Sequence, residues 1–196
     1  MKNYFHTGFI TAVLLLALSN QALLSQQSIT LIPDQSHIII KGTSTVHDWE
    51  ESAEKFNVSL NFKFSEKEIT GISKAQVIVK SKSITSDNSI MTNKTHDALK
   101  VEQYPDIEFK LVSVDKISSD NGQFSGTVVG DITLAGVTKR ISLAFTGQHN
   151  GSKISIKGSK DLNMSDFKIK PPTAMLGTLK TGEQVTVSFQ LNFQIT

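Results

Sequence analysis

The sequence predicts an all-β protein, an antiparallel barrel of about eight strands with one short helix. Three observations carry this. Phe56, Val58, Leu60, Phe62 and Phe64 take every second position, with Asn57, Ser59, Asn61 and Lys63 between them. The pattern returns as Val185, Val187, Phe189, Leu191, Phe193 and Ile195, separated by polar residues throughout. Successive strand side chains point to opposite faces, so both runs read as strands with one apolar face. Between the alternating runs stand Asp120-Asn121-Gly122, Ala135-Gly136, His149-Asn150-Gly151 and Thr181-Gly182, the residue types that hairpin turns select.

In chain order, Lys2 precedes an apolar run over 9–18, and a polar, small-residue stretch follows at 19–27. This is the pattern of a cleaved export signal, since the run falls short of the roughly 20 residues that span a bilayer. Residues 1–25 are therefore expected to be a signal peptide and residues 26–196 the mature domain, with a periplasmic or secreted location. The next strand candidates are 38–41, 56–64 and 75–80. Residues 89–103 break the alternation, with Met91, Thr95, Ala98 and Leu99 on one helical face and Tyr104-Pro105 as the stop. A helix between long strands is well placed to cover an open barrel end. Further strands are expected around 107–111, 124–134, 141–145, 153–157 and 185–195. Gly126 and Gly130 lie within one of them, where they permit a bulge or sharp coil. Long strands with one apolar face favour a sheet closed on itself.

Composition narrows the function. The 196 residues are 38% hydrophobic, suiting one domain with a substantial core. A net charge of +2 without a basic run argues against a nucleic-acid partner. With no cysteine, no disulfide, thiolate metal site or lipid-anchoring cysteine is expected. His37, His47, His96 and His149 have no metal-ligand spacing, and no phosphate loop, dinucleotide fingerprint or nucleophile elbow occurs, so neither cofactor nor catalysis is expected. His47-Asp48-Trp49-Glu50 is the most reactive-looking cluster. Neighbours on an extended chain face opposite ways, so it reads as a strand-to-turn corner with Trp49 covering the barrel end. His96 and Asp97 read as exposed helix residues.

Four blocks, in order, resemble the YceI-like family. Residues 36–46 are similar to its opening strand and the Ser-Thr-Val turn. Ala98-Leu99-Lys100 followed by Tyr104-Pro105-Asp106-Ile107-Glu108-Phe109 resembles its helix and the next strand entry. Residues 130–139 resemble its Gly-Asp to Gly-Val-Thr hairpin, and residues 162–169 its approach to the final strand. The resemblance covers roughly 28–196 and implies a lipocalin-like barrel with an elongated pocket for a polyisoprenoid, an isoprenoid quinone or another long amphiphilic lipid. Where many members carry a glycine-centred Gly-x-Phe after the turn, this chain has His47-Asp48-Trp49, so the ligand need not be the family's.

On this reading the pocket is lined by Phe56, Val58, Leu60, Phe62, Phe109, Leu111, Phe145, Phe189 and Leu191. Burying one isoprene unit contributes roughly 2–3 kcal/mol, so a few units suffice for useful affinity. The expected function is to hold an apolar lipid for transport, storage or sequestration. Two alternatives stand beside it: an interaction domain with a filled core, and a lipid-acting enzyme using His47, Asp48 and Glu50, which requires those groups to converge on a pocket mouth.

Overall fold

The computed structural model describes residues 28–66, 68–174 and 177–196; the expected signal peptide, residues 1–25, lies outside them. Among the described residues there are twelve antiparallel strands and one α-helix. In chain order the strands are β1 (Ile29–Leu31), β2 (His37–Ser44), β3 (Trp49–Ala53), β4 (Phe56–Ser65), β5 (Glu68–Lys80), β6 (Ile84–Thr85), β7 (Asp106–Asp120), β8 (Gln123–Leu134), β9 (Val137–Asn150), β10 (Lys153–Asn163), β11 (Thr173–Ala174) and β12 (Leu179–Ile195). Helix α1 (Ser89–Leu99) follows β6.

The pairing order is β4-β5-β7-β8-β9-β10-β12-β2-β3-β6, with β1 and β11 added along β12. Only two residues separate β3 from β4, and a single 3-10 turn, Ser81–Ser83, separates β5 from β6. Each pair is one strand bent once, and together they form one kinked hairpin. Counted so, the order becomes a ring of eight: β2 pairs β3, whose continuation β4 pairs β5, and the ladder then runs round to β12 and back to β2. The kink is held by Ser83. Its Oγ accepts from the Lys55 amide (3.0 Å) and donates to the Lys80 carbonyl (2.7 Å), while its own carbonyl accepts from the Glu54 amide (2.9 Å). Beyond the kink β1 lies against β4 without a ladder, leaving a slit lined by Leu31, Pro33 and Phe56.

Turn chemistry sets the hairpins. Asn121 and Gly122 (φ 50° and 75°) join β7 to β8, and Ala135 and Gly136 (φ 48° and 79°) join β8 to β9, the left-handed pairs that match strand twist. Thr181-Gly182, expected as a turn, lies instead within β12, where the register against β2 shifts between Thr181 and Val185. The helix also ends earlier than expected: Lys100 takes a left-handed conformation (φ 53°), and its amide bonds the His96 and Asp97 carbonyls.

Glycines within the strands seat aromatic rings rather than only loosening the backbone. A Cβ on Gly126 would come within 2.8 Å of the Phe145 ring, and one on Gly147 within 2.3 Å of Phe124. Each is the direct cross-strand partner of the ring it seats. Phe62, Ile69, Phe124, Ile154 and Phe193 fill one end of the barrel, with Phe124 edge-on to Phe62 and Phe145 at centroid separations of 6.0 and 6.2 Å.

Candidate ligand cavity

Above that plug the barrel is open inside. A cavity of about 830 Å³ runs from Leu60, Val128 and Leu191 at its floor to α1, Met164, Pro172, Thr173 and Leu179 at its mouth. The volume lies within the roughly 300–1,000 Å³ of small-molecule sites.

The register of β10, β12, β2 and β3 divides one side of the wall into levels. Leu162, Val185, Gly42 and Trp49 are mutually paired at the rim. One step inward come Lys160, Val187, Ile40 and Glu51, and below them Gly158, Phe189 and Ile38. Trp49 lies flat over Gly42, where a Cβ would come within 2.2 Å of the indole, and its Nε1 donates to the Thr43 carbonyl at 3.0 Å.

Helix α1 crosses the mouth. Its N-cap is Asn88, whose Oδ1 accepts from the Ile90 and Met91 amides at 3.0 and 3.2 Å. Met91, Lys94, Thr95, Ala98 and Leu99 face the cavity, and no helix residue is fully buried. Two contacts fasten the helix to the strands: Thr95 Oγ1 donates to Glu51 Oε1 at 2.9 Å, and His96 Nε2 lies 2.9 Å from the Ile84 carbonyl. His96 is thus half-buried and tethered, not an exposed residue as expected from sequence.

Glu51 is the one buried charged residue among those described, 2% exposed. Loss of hydration pushes its carboxyl above the ordinary value, and the Thr95 hydroxyl opposes that in part. Sequence reading passed over it, because an acid interrupts the apolar alternation although Trp49, Glu51 and Ala53 share one face. Lys160 was missed similarly: it stands in the inward row Ile154, Ile156, Gly158, Leu162.

Of the nine residues expected to line the pocket, Val58, Leu60, Phe109, Phe145, Phe189 and Leu191 are on the cavity wall. Phe62 belongs to the plug beneath, Leu111 packs against that same cluster, and Phe56 stands at the slit between β1 and β4. The His47, Asp48 and Glu50 groups do not converge. His47 lines the mouth but is exposed, with Nδ1 2.7 Å from the Asp48 carbonyl; Glu50 is on the outer face, its carboxylate 2.8 Å from Lys41 Nζ. Among the described residues, no group of three or more His, Cys, Asp or Glu side chains is arranged to hold a metal ion.

The fold has relatives of known structure. BcnA of Burkholderia cenocepacia superposes with a TM-score of 0.67 at 15% identity, covering 83% of this chain and 98% of that one. A polyisoprenoid binding domain from Saccharophagus degradans gives 0.66 at 13% identity, covering 87% and 99%. The Campylobacter jejuni YceI protein gives 0.57 at 20% identity, covering 98% and 97%. In sequence, a UPF0312 protein of Pseudomonas putida is 35% identical over 89 residues, and the aligned part spans only 42% of this chain and 44% of that relative. The YceI-like domain model matches residues 30–193, nearly the whole described barrel. With that match over most of its length, the chain belongs to the YceI-like domain family.

Proposed function

We propose that this protein is an exported lipid holder: its barrel takes up the chain of a long amphiphile, an isoprenoid or a comparable lipid, and carries or stores it outside the cytoplasm without chemical change. The observation that carries the reading is the 830 Å³ cavity, walled by aliphatic and aromatic side chains and roofed by α1. Among the expected residues, Val58, Leu60, Phe109, Phe145, Phe189 and Leu191 are the proposed contacts for the apolar chain. The binding activity named for the Saccharophagus domain supports the same class of ligand. The apolar run at 9–18 supports export.

An apolar slot formed in a lipid-rich envelope retains its occupant through purification without detergent. Expression of the full chain, followed by solvent extraction of the purified protein, should release a long-chain amphiphile near one per protein. An empty extract, together with no uptake of prenyl lipids, quinones or fatty amides, would leave an interaction domain as the better account.

A further inference from the structure

An apolar cavity explains retention of a chain but not what is done with the head of an amphiphile. The charged side chains lining this cavity are three lysines, Lys94, Lys160 and Lys180, and one acid, Glu51. Lys94 and Lys180 belong to the mouth, on α1 and the start of β12. Lys160 and Glu51 are one step further in, on the same level of the wall, linked in register through Val187 and Ile40. Three interstrand spacings of about 4.8 Å separate their backbones along the wall. No ion pair joins them, and among the described residues none engages Lys160.

The outer face of the same strands behaves differently. Asp161, beside Lys160, accepts from the Thr186 hydroxyl at 2.6 Å, and Glu50, beside Glu51, pairs with Lys41 at 2.8 Å. The inward pair has no charge partner among the described residues, and unlike those outer-face groups it stands in an apolar wall. A half-buried ammonium and a buried carboxyl in an apolar wall are costly to maintain unless something polar meets them.

We propose that Lys160 and Glu51 form a headgroup subsite just inside the mouth, and that it takes the carboxylate of a long-chain carboxylic acid. This rests on the lipid-holding reading. The ligand's chain runs down past Phe189 and Leu191 toward the plug, while its carboxylate accepts from Lys160 Nζ on one side and from the Glu51 carboxyl on the other. Thr95 already occupies Glu51 Oε1, which leaves Oε2 to carry the proton toward the ligand. Charge counting selects a monoanion: one ammonium and one protonated carboxyl balance a single negative charge and leave a dianion unbalanced. The other titratable groups lining the cavity, Lys94, Lys180 and His47, are basic, so among the described residues no second carboxylate faces the anion.

The test uses delipidated full-length mature protein and three chain-matched probes: hexadecanoic acid, hexadecanol and hexadecylamine. The acid should bind about tenfold or more tighter than the alcohol, the usual gain from hydrogen bonds to a charged group, and the amine should bind weakest. Lys160→Met should erase the preference of acid over alcohol, and Lys160→Arg should restore most of it. Glu51→Gln, which donates at every pH, should abolish the loss of acid binding that the wild type shows as rising pH takes the proton from the Glu51 carboxyl. If acid, alcohol and amine bind alike, or if Lys160→Met leaves the preference intact, the subsite is wrong while lipid holding stands. If none of the three binds, and no prenyl lipid does either, the lipid-holding reading fails and the subsite with it.

Discussion

Glu51 shows how a single residue is placed against its own chemistry. The residue is 2% exposed, and desolvation raises the pKa of its carboxyl above the ordinary value of 4.5. Linkage fixes the sign. Below the ordinary value both folded and unfolded chains carry the proton, and burial costs nothing in charge. As pH rises toward the folded value, the unfolded chain releases its proton first, so stability falls; above the folded value the penalty is complete. Glu51→Gln removes this component and keeps an oxygen for the Thr95 hydroxyl. In lipid-free protein, urea midpoints should therefore separate in favour of the variant as pH is raised from about 4.5 to about 7.5. A gap of equal size at both pH values would count against the account. Glu51 and Lys160 were illegible in the sequence for one reason: reading by apolar alternation discards a polar residue on an inward row, although that is where a polar residue is most informative.

At the level of the element, β12 tests the assignment of faces. Phe189 lines the cavity and packs into both the plug-side and mouth-side clusters, whereas Ser188 faces outward opposite Ile39 and Ser159. Phe189→Asp should destabilise by several kcal/mol, about 3 or more, because it inserts an unpaired carboxylate among apolar groups and removes a large ring. Ser188→Asp should stay within about 0.5 kcal/mol of the wild type. Denaturant midpoints on both variants decide it, and equal effects would mean the two faces are exchanged. Strand β12 also marks what alternation can deliver. It gave the face of Phe56, Phe62 and Leu111 but not their height along the barrel, and height separates plug from cavity. Gly182 looked like a turn in the sequence, yet it continues β12 because the ladder to β2 resumes at Val185 and Thr43 fills the space beside it. Helix α1 was legible from the broken period, but its end was not, since a lysine in a left-handed C-cap position carries no distinctive residue type.

The whole molecule was legible as a closed antiparallel sheet with a roofing helix, because each long hairpin announces itself locally. The device that closes it was not. It depends on the kink at Glu54 and Lys55 answered by Ser81–Ser83, and serines that bond backbone groups resemble an ordinary loop in sequence. Size and shape of the cavity belong to this scale, and so does the dependence on ligand length. Each added methylene should contribute about 0.8 kcal/mol to binding until the slot is full, and ligand that binds only the folded state stabilises it by mass action. In a homologous series of saturated acids at fixed free concentration, the melting temperature should climb with chain length and then level off. A melting temperature indifferent to length would mean that the chain is not inside.

Strand β12 gives the barrel an order of events. It pairs with β10, β2, β1 and β11, and its bonds to the Ser36 region join residues 156 apart in the chain. The hairpins from β7 to β10 form from neighbouring segments, but the ring waits for β12 to meet β2, a contact between opposite ends of the chain with a large loop entropy to overcome. Phe189 and Leu191 on that strand are also cavity wall. Until β12 docks there is therefore no container, and a chain trapped one strand short exposes its apolar inner face rather than an empty pocket. On the lipid-holding proposal, occupancy and closure are one equilibrium, and a lipid arriving during folding would hold the final strand in place.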